Sequence, residues 1–125
     1  LYVAQSGRLP GEKRELRAYP VLGDMGLGAH EVLHDFDEHR GIDGMVLDTN
    51  GNIIATAGFE QSGPGPMIYV FSPEGEVMDT HSMPVDRPTN CSFGGTDLST
   101  LYVTTIDGHL FRTDTNHQGR LLYPE

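Results

Sequence analysis

Residues 101–107 read LYVTTID, and two similar runs, LYVAQSG at 1–7 and IIATAGF at 53–59, precede it at intervals of roughly 50 residues. A β-rich chain that repeats at this period is built from propeller blades, each a four-stranded antiparallel meander. The repeat extends backwards as well. DGMVLDTNGN (43–52) leads into Ile53, and NCSFGGTDLST (90–100) leads into Leu101. Asp43 and Asn90 thus take matching places at the start of matching strands. Because the innermost strand of each blade begins beside the propeller axis, both are expected to face one pocket.

The surrounding sequence agrees. Sixteen Gly and eight Pro are spread along the chain and leave few stretches that could carry three turns of helix. Three hairpins are predicted: MVLDTNGNIIAT (45–56), MIYVFSPEGEVMDT (67–80) and LYVTTIDGHLFRT (101–113). Asn50-Gly51 and Asp107-Gly108 are expected to form type I′ turns, in which both central residues take positive φ. The expected architecture is all-β, about two and a half blades of a propeller, with residues 1–125 forming the C-terminal part of a single propeller domain.

With 8 Lys and Arg against 18 Asp and Glu, the 125-residue chain carries a formal net charge of −10. That charge argues against nucleic acid or an anionic membrane as partner and favours bound cations. The single Cys, Cys91, excludes an internal disulfide and reads as a small buried hydrophobe. No apolar stretch approaches the roughly 20 residues that span a bilayer, so the chain reads as soluble, cytoplasmic or periplasmic. It opens on a strand-like run without an initiator Met, and a segment upstream is expected to have been removed.

GAHEVLHDFDEHRGIDG (28–44) places His30, Glu31 and His34 in the order H-E-x-x-H. On a helix this pattern grips Zn²⁺ between the two His, with the Glu as general base, as in zinc proteases. The longer metzincin pattern fails here, since its Gly position is Asp37 and its third His position is Arg40. Gly residues also bound the segment closely. The preferred reading is a strand, roughly HEVLHDF, on the outer part of a blade with both His at the surface. DTNGNI (48–53) does not make an EF-hand, because Ile53 and Phe59 stand where that loop needs Gly and Glu.

HRGIDGMVLDTNGNI (39–53) and PTNCSFGGTDLSTLYVT (88–104) resemble the gluconolactonase and regucalcin (senescence marker protein) family of six-bladed β-propeller lactonases. The resemblance covers essentially the whole chain but only the C-terminal part of the family's length. It implies a divalent metal on the propeller axis, usually Ca²⁺ and in some members Zn²⁺ or Mg²⁺, with Asp43 as a ligand; as a carboxylate, Asp43 is also a candidate proton acceptor. It places the two other protein ligands upstream of Leu1. Oxygen ligands suit a hard cation, which would polarise a lactone carbonyl. Asn90, Arg40 and His39 are candidates for contacting a lactone or sugar-acid substrate from the pocket rim.

Three functions follow. The first is metal-dependent lactone hydrolysis by the intact propeller, which requires the N-terminal blades or another chain. The second is a non-catalytic propeller segment acting as a binding or assembly module. The third is zinc proteolysis through His30, Glu31 and His34.

Overall fold

A computed structural model describes residues 1–121 and 123. Ten antiparallel strands form three sheets in chain order. The first sheet holds β1 (Tyr2–Ser6), β2 (Arg14–Ala18) and β3 (Glu31–Asp35). The middle sheet holds β4 (Ile42–Leu47), β5 (Ile53–Phe59), β6 (Ser62–Phe71) and β7 (Val77–Ser82). The third holds β8 (Pro88–Gly94), β9 (Thr100–Thr105) and β10 (Leu110–Asp114). Within each sheet, strands consecutive in sequence pair with one another. This is the up-and-down meander of propeller blades, as the repeat predicts.

The three repeated runs are β1, β5 and β9. Aligned on them, the first sheet has no counterpart of β4 and the third none of β7 among the described residues. β5 is buried along almost its whole length because both faces of the middle sheet are covered. Ile53, Ala55 and Ala57 pack with Leu16, Phe36, Ile42 and Phe71 against the first sheet. Ile54 packs on the other face with Ile68, Val70, Cys91, Leu101 and Val103 of the middle and third sheets. Alternation along one strand thus feeds two cores, each large aliphatic side chain contributing about 1.5–3 kcal/mol by its burial. β7 is exposed throughout, as befits a blade's outer edge.

Two expectations require correction. The hairpin turns are not type I′: Gly51 (φ 86°) and Gly108 (φ 85°) are left-handed, but Asn50 and Asp107 are not. The observed connection is the longer one, in which the Gly closes a turn and forms a bulge. Asp48 N–H donates to Asn52 O at 3.0 Å, and Gly51 N–H to Asp48 O at 3.2 Å. The same pattern recurs at 72–76 and 105–109. In all three turns the first residue is a buried polar side chain, Asp48, Ser72 or Thr105, that accepts backbone N–H groups of its own turn. A short polar side chain there satisfies donors that the tight turn orphans.

The second correction concerns register. Ile42 pairs Ala57 and Met45 pairs Ala55, while Pro88 pairs Thr105 and Cys91 pairs Val103. Since Ala57 and Thr105 are equivalent in the repeat, Gly44 is the counterpart of Asn90, and Asp43 that of Thr89. Both inner strands are irregular at this point, and sequence alignment alone slipped by one residue. Equivalent hydroxyls mark the correct match: Thr56 Oγ1 bonds Gly44 O at 3.1 Å and Thr104 Oγ1 bonds Asn90 O at 3.4 Å.

Candidate functional site

A cleft of about 760 Å³ opens at one end of the three sheets, where β4 begins. The antiparallel meander brings the β1–β2, β3–β4, β7–β8 and β9–β10 connections to this same end. Asp43, the second residue of β4, lies there with a side chain 47% exposed, whereas Arg40 is 23% exposed. Arg40 Nη2 donates to Asp43 Oδ2 at 2.6 Å. Its Nη1 donates to Gly58 O at 2.9 Å and Pro88 O at 3.1 Å. One guanidinium therefore joins the β5 end and the β8 start to the Asp43 carboxylate, a geometry that a planar fork of donors suits. Burial pulls the Arg40 guanidinium below its ordinary value, Asp43 and Asp86 oppose this, and the neighbouring Arg87 adds to it.

Asn90 lies beside Asp43 on the adjacent inner strand. A side chain at Gly44 would meet Asn90 Cα at 2.7 Å, so the two strand starts are in direct contact. Asn90 Oδ1 accepts the Cys91 N–H at 2.8 Å. His39 is elsewhere: its Nδ1 lies 2.6 Å from Ser62 Oγ, and it lines a separate cavity of about 240 Å³. Among the candidates, then, the structure brings Arg40 and Asp43 together in the cleft, sets Asn90 behind them and turns His39 away.

Asp43 is a hard oxygen donor of the kind Ca²⁺ takes, but one carboxylate is too few for a metal centre. Among the described residues no group of three or more His, Cys, Asp and Glu could hold a metal ion.

The H-E-x-x-H segment is no helix: Glu31 to His34 lie in β3 and His30 stands just before it. Along an extended chain at about 3.3 Å per residue, His30 and His34 stand roughly 13 Å apart, too far to share one ion. His30 packs on Tyr19. His34 is not at the surface as expected: it is half-buried, 4.6 Å from Phe36 and 5.1 Å from Phe71 between ring centroids. Burial holds its pKa down despite Asp35 and Asp37 nearby. The aromatic partners Tyr69 and Phe71 come from β6 of the next sheet, which local sequence does not reveal. The zinc-protease arrangement is therefore absent.

Sequence reasoning missed that Arg8, Arg14 and Arg87 line the same cleft as Arg40 and Asp43. The signal was available in the meander, which sends these segments to one end.

Comparison with known proteins is consistent with this geometry. The profile of the family described as the SMP-30/gluconolactonase/LRE-like region matches residues 10–107. The 6-deoxy-6-sulfogluconolactonase of Pseudomonas putida is 35% identical over 92 residues, which cover 72% of this chain and 30% of that protein. A luciferin-regenerating enzyme superposes with a TM-score of 0.78 at 25% identity, covering 95% of this chain and 42% of the other. The calcium-binding protein regucalcin of Agrobacterium tumefaciens superposes with a TM-score of 0.66 at 25% identity, covering 85% and 40%. The chain spans under half the length of each of these proteins. No helix among the described residues is long and apolar enough to cross a membrane.

Proposed function

The chain belongs to the SMP-30/gluconolactonase/LRE-like family, and on that premise we propose that it is the C-terminal part of a six-bladed propeller that hydrolyses a sugar lactone. Its contribution is Asp43, and the observation that carries the reading is the placement of this carboxylate at the start of an inner strand, in the cleft and fixed by Arg40. The P. putida relative, by its name a lactonase, supports the substrate class. The regucalcin likeness, with its calcium-binding description, supports Ca²⁺ as the metal, with Zn²⁺ or Mg²⁺ as alternatives.

Asp43 would be one ligand of such an ion, the others coming from further blades or from another chain. When bound, the cation would polarise the lactone carbonyl. This chain's own residues do the rest of what can be assigned to them. Arg40 orients Asp43, and would share the carboxylate with a bound cation. Asn90 buttresses the start of β4. The open edge of β1 borders the cleft through Ala4 and Ser6, where a further inner strand can pair. Residues 1–125 alone are therefore inactive.

The test compares residues 1–125 with the protein purified from its native source, using D-glucono-δ-lactone with Ca²⁺ or after chelation. Metal-dependent turnover by the native protein and none by the 125-residue monomer is the expected result. Robust Ca²⁺-dependent turnover by the monomer would show that the ligands are misassigned.

A further inference from the structure

Four of the chain's eight basic residues, Arg8, Arg14, Arg40 and Arg87, line the single cleft that holds Asp43. They face only two acidic lining residues, Glu38 and Asp43, in a chain whose formal net charge is −10. A positive cleft on an acidic protein is a local field that composition does not produce by default. All four cations are arginines, the side chain whose fork matches carboxylate, sulfonate and phosphate oxygens in pairs.

Their commitments differ. Arg40 is occupied by Asp43 and two backbone carbonyls. Arg87 pairs with Asp86 at 3.2 Å and is held at φ 48° immediately before Pro88, a left-handed backbone that non-glycine residues rarely adopt. The Arg14 side chain makes one hydrogen bond among the described residues, to the Leu9 carbonyl at 3.3 Å. Arg8 makes no side-chain hydrogen bond or ion pair among the described residues. Two guanidiniums therefore stand in the cleft with no carboxylate bonded to them, on the β1–β2 connection and the start of β2.

We propose that this cleft selects a sugar acid carrying a second, permanently anionic group such as a phosphate or sulfonate, held by Arg8 and Arg14 while the lactone end lies towards Asp43. Arg87 adds to the field at the opposite rim. The word lactone rests on the function proposed above; the preference for an anionic polyol does not.

The experiment separates the two. The protein purified with all of its blades is titrated calorimetrically at low salt with 6-phosphogluconate, gluconate, the neutral polyol glucitol and inorganic phosphate. 6-Phosphogluconate is expected to bind at least tenfold more tightly than gluconate or phosphate, with no binding of glucitol. Arg8→Gln, which removes no hydrogen bond of the fold, and Arg8→Gln/Arg14→Gln should each weaken 6-phosphogluconate, the double variant at least tenfold. Arg112→Gln, on β10 away from the cleft, should leave it unchanged. Equal affinities for glucitol and 6-phosphogluconate, phosphate binding as tightly as the sugar phosphate, or an unchanged double variant would each overturn the proposal. Charge-selective binding in a protein that hydrolyses no lactone would uphold it while refuting the lactonase reading.

Discussion

Asp48→Ala should be among the most damaging single substitutions in this chain, although Asp48 lies at the end of the sheets opposite the cleft. Its side chain is fully buried. Oδ1 accepts the Asn50 N–H at 2.9 Å and the Asn52 N–H at 2.8 Å. Oδ2 accepts Asn52 Nδ2 and lies against His117 Nδ1, each at 2.8 Å. The His117 contact ties the β4–β5 turn to the segment after β10, and the adjacent Thr49 N–H to Gln118 O bond at 2.7 Å runs alongside it. Hydrogen bonds to a charged group contribute about 1.5–3 kcal/mol each. These four share partners and are not additive, so the expected net loss is about 3–5 kcal/mol. The assay is urea unfolding followed by far-UV circular dichroism, since the chain has no Trp. At about 2 kcal/mol per molar, the midpoint should fall by roughly 2 M. His117→Ala removes one of the four contacts and should cost about 1–2 kcal/mol, which keeps the test informative if Asp48→Ala does not fold.

The pH dependence has a definite direction. Burial raises the Asp48 pKa, but hydrogen bonds from His117, Asn52 and Asn50 outweigh it and hold the carboxyl below its ordinary value. The folded-state value is therefore the lower one. Its stabilisation is complete above the ordinary carboxylate value of about 3.9 and is lost as pH falls through the depressed folded value. Asp48→Asn should flatten that acid limb. A loss below 1 kcal/mol in Asp48→Ala, with the acid limb unchanged in Asp48→Asn, would refute the reasoning.

Two further outcomes are expected. Gly44→Ala should destabilise by about 1–3 kcal/mol, because its Cβ would overlap the Asn90 backbone across the blade interface, and thermal unfolding reads this directly. Cys91, buried with its thiol pushed up to about 12, should resist alkylation at pH 8 until the protein unfolds, as quenched-flow or mass-spectrometric labelling would record.

The blades were legible because a period near 50 residues and Gly-marked turns are local signals, and β1, β5 and β9 are the repeated runs themselves. Other features depend on contacts that local patterns do not encode. The type of the 48–52 turn follows from the ability of buried Asp48 to take two backbone donors, an option that the Asn-Gly pair alone conceals. The match of Asn90 to Gly44 depends on irregular pairing at the start of both inner strands, which the sequence repeat alone shifts by one place. His34 is drawn inward by Tyr69 and Phe71 from another sheet. Arg8, Arg14 and Arg87 are far apart in sequence and meet only because consecutive antiparallel strands return to one end. The repeat singled out Asp43 and the family resemblance gave it the role of a metal ligand, while its setting by Arg40 became visible only in three dimensions.

The central claim, that Asp43 serves a lactone-hydrolysing centre, is tested most directly by Asp43→Ala in the protein purified with all of its blades. kcat/KM for a sugar lactone at saturating Ca²⁺ should fall by roughly 100-fold or more, about 2.7 kcal/mol of transition-state stabilisation, with the fold intact by circular dichroism. Turnover within twofold of the unsubstituted protein would contradict it.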